Sequence, residues 1–144
     1  MKTVSDLLRS KGSAVDTVTP ETSVFAALEV MANRNVGALV VLDGERIIGL
    51  ITERDYARKV RLKGRSSQDT PVREIMTERV ICVGPLQKID ACMALMTENR
   101  VRHLPVLKEH QLVGIVSIGD VVKAIIEDQR FTIEQLEHYI TGHG

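Results

Sequence analysis

The sequence predicts an α/β (α+β) chain built from two β-α-β-β-α motifs related by a pseudo-two-fold axis, with a short helix added at each end. Three observations predict it. Residues 15–61 and 80–126 are two copies of one pattern that align without a gap, pairing Pro20 with Pro85, Met31 with Met96, Gly49 with Gly114 and Asp55 with Asp120. Each copy passes from helical to strand periodicity at the same point. The length of 144 residues suits one ordinary domain that can bury a real core. Self-similarity at this period means one supersecondary unit used twice, each copy covering the apolar face the other leaves bare, with a cleft for a small ligand expected between them. The expected divisions are residues 1–14 (N-terminal helix and lead-in), 15–61, 62–79 (linker), 80–128 and 129–144 (C-terminal helix and tail).

Each copy opens with a short extended stretch that ends at Pro20 or Pro85. Val24, Ala27, Leu28 and Met31 then mark one helix face at i, i+3, i+4, i+7, and Ile89, Cys92, Met93 and Met96 repeat it. Ser23 suits the N-cap of the first of these helices. Apolar runs Ala38–Leu42 and Ile47–Thr52 flank Asp43-Gly44, a strong hairpin signal. The second copy has His103–Leu107 and Leu112–Ser117 about a looser turn, Lys108–Gln111. A second helix is expected to start near Thr52 or Ser117. Gly49 and Gly114 interrupt strands, as glycine does at a bulge or where another group approaches the backbone; packing against the other repeat explains them equally well. Leu62–Arg73 reads as a basic surface loop before a short helix at Val72–Met76. Outside the repeats, Thr3–Ser10 reads as an N-terminal helix carrying Val4, Leu7 and Leu8. Thr132–Ile140 reads as a C-terminal helix, with Thr132 and Gln135 at capping-box spacing. It could pack on its own domain or across a two-fold interface.

Composition sets bounds on function. Nineteen basic residues balance nineteen acidic ones, so no global field recruits nucleic acid or an anionic membrane. Two Tyr, two Phe and no Trp leave little for stacking on exposed bases. No apolar run reaches membrane-spanning length and Met1–Ser10 lacks the core of a signal peptide, so a cytoplasmic location is expected. Cys82 and Cys92 form no CxxC pair and have no His at ligand spacing, so no metal is expected and the thiols read as reduced and partly buried. His110, His138 and His143 read as surface or tail residues.

The sharpest local signal is Gly-x-x-Thr/Ser-x-x-Asp, which reads GLITERD at Gly49–Asp55 and GIVSIGD at Gly114–Asp120. As structure, Thr52 or Ser117 caps a helix and Asp55 or Asp120 at the third position completes a capping box, worth about 1 kcal/mol. As function, the same helix start presents unpaired N–H groups and a positive dipole end to a phosphate, with a carboxylate one turn on that can accept both hydroxyls of a ribose. Capping boxes are common in any fold, and duplication copies caps as readily as sites, so the spacing alone leaves both open.

With these motifs in view, the chain resembles a tandem pair of cystathionine-β-synthase (CBS) domains, a Bateman module. The matching elements are Thr19-Pro20 and Gly84-Pro85 at the strand ends, the helices ending in Met31 and Met96, Arg102–Val106 (RHLPV), and the two Gly-x-x-Thr/Ser-x-x-Asp segments. The closest resemblance is to small stand-alone bacterial and organellar CBS-pair proteins without an attached enzyme or transporter. The resemblance implies binding of an adenosine-containing ligand. Asp55 or Asp120 would hold the ribose, and Thr52 or Ser117 would contact ribose or phosphate beside Gly49 or Gly114. Thr17, Val18, Cys82 and Val83 would flank the adenine, and Arg102 and His103 would bring positive charge to phosphate. The copies differ here. Gly37-Ala38 replaces Arg102-His103 in the first, while Arg54 and Arg58 in the first correspond to Gly119 and Lys123 in the second. Unequal sites are expected, with phosphate following the arginines; a solvated helix face is the plain alternative for them. His103 can equally be a structural histidine, and Lys63 with Arg65–Ser67 an ordinary exposed linker.

Three function classes follow. The first is a regulatory module sensing AMP, with ATP, ADP or NAD as other candidates and S-adenosylmethionine fitting less well beside basic residues. It would act as a homodimer on a protein partner that the sequence does not identify. The second is an interaction adaptor for a metabolic or thioredoxin-type enzyme, by fold-level analogy with plant relatives. An enzyme is the third and weakest, because no nucleophile, base and orienting group can be assembled from these residues.

Overall fold

The computed structural model describes residues 2–141, with the side chain of Thr141 excepted, so His143 lies outside the described residues. In chain order the elements are α1 (Val4–Lys11), β1 (Thr17–Val18), α2 (Val24–Arg34), β2 (Ala38–Asp43), β3 (Arg46–Thr52) and α3 (Glu53–Tyr56). A π-helical turn at Ala57–Arg61 and a 3-10 turn at Val72–Glu74 follow, then α4 (Ile89–Asn99), β4 (His103–Lys108), β5 (Gln111–Ser117) and α5 (Ile118–Thr141). The chain divides into two compact units. The first is Ala14–Ile81; the second joins the residues up to Ser13 to those from Cys82 onward.

Within the first unit, Ser23 caps α2 by accepting from the Ala26 amide at 3.1 Å, and Asn35 ends it in the left-handed region. The apolar stripe of α2 turns inward, burying Val24, Ala27 and Met31 against Leu39 and Val41 of β2 and Ile51 of β3. β1 runs parallel to β2, and β2 pairs antiparallel with β3. The ladder steps from Val41–Gly49 to Leu42–Ile47, leaving Ile48 as an extra residue, so the strand glycine borders a bulge. The second unit repeats the bulge, stepping from Val106–Gly114 to Leu107–Leu112. There β1 has shrunk to a single parallel bridge, Val83 to Val106.

The structure departs from the sequence reading in four places. The helix expected to start near Ser117 and the separate one at Thr132–Ile140 are one continuous helix, α5. Thr132 caps nothing: its hydroxyl donates to the Asp128 carbonyl one turn back, at 3.0 Å. The corresponding helix of the first unit is α for only four residues before it widens into the π turn. The Lys108–Gln111 turn is as tight as the Asp43–Arg46 one, with Glu109 and His110 both at positive φ (52° and 66°) as a type I′ turn requires.

The fourth difference concerns the terminal segments. α1 is a repeated element too, matching the stretch from Pro71 to Met76 in a register shifted by three residues from the main repeat. Val24 N–H donates to Thr70 O and Val72 N–H to Thr22 O, both at 2.8 Å. In the second unit Ile89 N–H donates to Lys2 O at 3.1 Å and Val4 N–H to Gln87 O at 2.8 Å. Each motif thus has a lead-in turn, but the N-terminal one serves the second motif and the linker serves the first. This also explains the strand glycines. A Cβ on Gly49 would sit 2.7 Å from Met76 Sδ and 3.1 Å from Thr77 O, and one on Gly114 would sit 2.7 Å from Leu8 Cδ2. The close neighbour is the lead-in turn of the same unit.

Candidate functional site: a capped carboxylate in each unit

Both Gly-x-x-Thr/Ser-x-x-Asp segments place their aspartate at the start of a helix, folded back on the preceding strand end. Thr52 Oγ1 accepts from the Asp55 amide at 3.1 Å, and Ser117 Oγ accepts from the Asp120 amide at 3.1 Å. Each aspartate returns a bond from the cap residue's N–H, at 3.0 Å for Thr52 and 2.9 Å for Ser117. These are reciprocal capping boxes, so the structural role is real in both copies.

Beyond the caps the two centres differ. Asp55 is buried, its side chain only 9% exposed. Oδ2 accepts from the Thr52 amide and also from Thr52 Oγ1 at 3.1 Å. Oδ1 accepts from Thr77 Oγ1 at 3.1 Å and pairs with Lys59 Nζ at 3.1 Å. Lys59 is itself tied to the Ile75 carbonyl at 2.9 Å. A carboxylate has about four acceptor positions; here three hydrogen bonds occupy three of them and the Lys59 ammonium stands against Oδ1 as an ion pair.

Asp120 is more open, with 24% of its side chain exposed. Its Oδ2 accepts from the Ser117 amide and from Lys11 Nζ at 2.7 Å. Lys11, the last residue of α1, also donates to the Ile115 carbonyl at 2.9 Å. Burial opposes ionisation of Asp120, but the bonds from Lys11 and Ser117 outweigh it and hold the carboxyl below its ordinary range. His103 lies opposite Ser117 in the β4–β5 ladder. Burial pushes its imidazole pKa down, Lys11 and Arg102 push it further, and Asp120 opposes them in part.

The remaining expected residues are spread around these centres. Arg102 is exposed and lines a groove of about 660 Å³ with Ile118, Val122, Lys123, Glu127 and Arg130 along the outer side of α5. Its carbonyl accepts from Ile118 N–H at 2.9 Å, which fixes the Arg102–His103 peptide at the start of that helix. Arg54 and Arg58 are exposed on α3 and the π turn. Thr17 is exposed and Val18 buried; Cys82 is half-buried and Val83 buried. Burial raises both thiol pKa values, which disfavours thiolate at neutral pH. Arg65 of the linker pairs with Glu74. Sequence reasoning missed Lys59, Thr77 and Lys11. Lys59 was visible as the i+4 partner of Asp55, whereas Lys11 becomes visible only once α1 is aligned with the linker turn.

The family model for the CBS domain matches residues 3–62 and 72–127. The chain belongs to the CBS family. It carries the domain as a tandem pair, and each matched segment joins a β-α-β-β-α motif to the lead-in turn that packs on the other motif. The CBS domain-containing protein CBSX3, mitochondrial, of Arabidopsis thaliana is 44% identical over 97% of this chain and 72% of that protein. A structure of a protein with CBS domains from Burkholderia ambifaria MC40-6 is 53% identical, covers 89% of this chain and 96% of that one, and superposes with a TM-score of 0.85. The CBS domain pair of protein MJ0100, solved with 5′-methylthioadenosine and S-adenosyl-L-methionine, shares the fold (TM-score 0.79) at 23% identity, covering 89% of this chain and 98% of that chain. No helix among the described residues is long and apolar enough to cross a membrane.

Proposed function

We propose that this CBS pair is a regulatory module, not an enzyme, and that it binds an adenine nucleotide, AMP before ATP, ADP or NAD, at the Asp120 centre. The observation that carries this is the inequality of the two carboxylates. Asp55 is buried and held by three internal hydrogen bonds and the Lys59 ion pair, whereas Asp120 keeps a solvent-facing side chain beside Ser117 and His103. A ribose diol needs acceptor capacity, and Asp120 is the carboxylate that has some to offer. Arg102 supplies positive charge at that end of α5, with the uncharged imidazole of His103 beside it, and neither has a counterpart at Gly37-Ala38. The 5′-methylthioadenosine and S-adenosyl-L-methionine of the MJ0100 pair support the adenosyl part of this ligand, neither of them carrying a phosphate. A module that senses a nucleotide without converting it needs an output. We propose a cytoplasmic or organellar homodimer acting on a protein partner.

Titration calorimetry of nucleotide-free protein against AMP, ATP and NAD tests the reading, with Asp55→Ala and Asp120→Ala alongside. Micromolar binding corresponds to about −8 kcal/mol. AMP binding that survives Asp55→Ala and disappears in Asp120→Ala is the expected result. Binding lost only in Asp55→Ala would move the site to the first unit and overturn the assignment.

A second reading, an interaction adaptor, draws on the far half of α5, where Phe131, Ile133, Leu136, Tyr139 and Ile140 are all exposed. Light scattering that shows self-association unaltered by any nucleotide, together with silent calorimetry, would favour it.

A further inference from the structure

Asp120 is not simply open: one of its oxygens is already taken. Oδ2 receives two charge-assisted bonds, from the Ser117 amide at 2.9 Å and the Lys11 ammonium at 2.7 Å, and an oxygen with two donors has no lone pair to give. The Ser117 amide is built into the strand–helix junction and cannot leave. Lys11 can.

The two ends of α1 are held very differently. Its front end is locked to the backbone of the second unit: Val4 N–H donates to Gln87 O, Ser5 N–H to Pro85 O and Ile89 N–H to Lys2 O. Leu8 fixes its middle against the bare face of Gly114. Past Leu8, Arg9 and Ser10 are exposed, and the long-range bonds of the last turn are the two made by Lys11, to Asp120 and to Ile115 O. The helix then ends at Gly12, at φ +101°, followed by the exposed residues 13 and 14. The first unit neutralises Asp55 in another way, with Lys59 one turn along the same helical segment. Lys59 lies on the same helical segment as its aspartate, whereas Lys11 belongs to an element 109 residues distant in sequence.

Resting on the reading that Asp120 receives the ribose through both oxygens, one hydroxyl on each, we infer that Lys11 competes with the ligand diol for Oδ2, Oδ1 accepting no bond among the described residues. Occupancy then exchanges Lys11 off Oδ2 and frees the last turn of α1. The coupling runs both ways by linkage: whatever holds the end of α1 in place weakens nucleotide binding, and nucleotide binding loosens it.

The test compares AMP with 2′-deoxy-AMP, which lacks the diol, on wild type, Lys11→Met, Lys11→Arg and Asp120→Ala. Lys11→Met is expected to tighten AMP about fivefold or more, the lower end of ordinary coupling energies, and to leave 2′-deoxy-AMP unchanged. Lys11→Arg restores the ion pair and is expected to behave as wild type, which excludes general loosening of α1 as the cause. In parallel, AMP should speed hydrogen exchange of the Gly12 amide, now bonded to Leu8 O at 2.8 Å, in wild type. In Lys11→Met this amide should already be fast and respond no further. Weaker binding of both nucleotides by Lys11→Met would place Lys11 on the phosphate and overturn the exchange, as would unchanged AMP affinity while Asp120→Ala abolishes binding. AMP binding by Asp120→Ala equal to wild type would instead remove the ribose assignment itself, and the exchange with it.

Discussion

Removing the two motif carboxylates one at a time, in the absence of any nucleotide, should separate their structural roles. Asp55→Ala opens a capping box by removing its return bond from Thr52 N–H, a loss of about 1 kcal/mol. It also leaves the Thr77 hydroxyl without its acceptor inside the fold. A buried donor so orphaned costs about 1–3 kcal/mol, nearer the lower figure here because Thr77 is only half-buried. Lys59 is 44% exposed and can turn to water, so it adds little. The sum is about 2–4 kcal/mol. Asp120→Ala opens the equivalent box, but its other donor, Lys11, is 32% exposed and rehydrates, leaving a loss of about 1 kcal/mol. For a chain of this length each kcal/mol lowers Tm by roughly 3 °C. Urea unfolding followed by far-UV circular dichroism should therefore show Asp55→Ala the less stable by about 1–3 kcal/mol. Equal losses, or a greater loss for Asp120→Ala, would refute the view that Asp55 is held from within.

Gly114→Ala should destabilise by about 1–3 kcal/mol through overpacking, since its Cβ would meet both Leu8 methyls within 2.8 Å; combining it with Leu8→Ala should cost less than the sum of the two single changes, read from the same unfolding curves. His110→Gly should raise stability by up to about 1 kcal/mol, because glycine relieves the left-handed backbone more than it adds chain entropy. Asp120 has a lowered pKa in the fold, so its stabilising contribution is full above the unfolded value of about 3.9 and is lost as pH falls through the lower folded one. The stability difference between wild type and Lys11→Met should accordingly shrink toward zero in that acid range. His103, also lowered, should make wild type lose stability as pH drops below about 6.5, and His103→Gln should flatten that slope.

Most of this architecture could be read from residues whose role is local. Ser23 as a cap, the Met31 and Met96 helix faces, the hairpin at Asp43-Gly44 and both capping boxes depend on neighbours within a few positions, and each stands where its spacing put it. The failures are all long-range or cooperative. Nothing local at Thr132 distinguishes a cap from a residue in mid-helix; continuity from Ile118 decides it, because an existing helix propagates more cheaply than a new one nucleates. Gly49 and Gly114 did announce a close approach, but the approaching group sits on a lead-in turn whose register differs from the main repeat, so pairing the glycines with each other pointed to the wrong neighbour. Likewise Asp55 and Asp120 are equivalent in the alignment, and only their partners Thr77, Lys59 and Lys11 set them apart.

The crossed assignment of the lead-in turns bears on how the chain leaves the ribosome. All the parts of the first unit lie in one uninterrupted stretch, which interrupts the second unit as an insertion would. During synthesis the first unit can close as soon as Ile81 emerges. α1, made before it, must wait for Asp120, 109 residues behind Lys11. At 5–20 residues per second that is roughly 5–20 s with Val4, Leu7 and Leu8 uncovered. A nick between Gly12 and Ala14 would accordingly leave the first unit entire while severing from the second the turn that fills the space over Gly114.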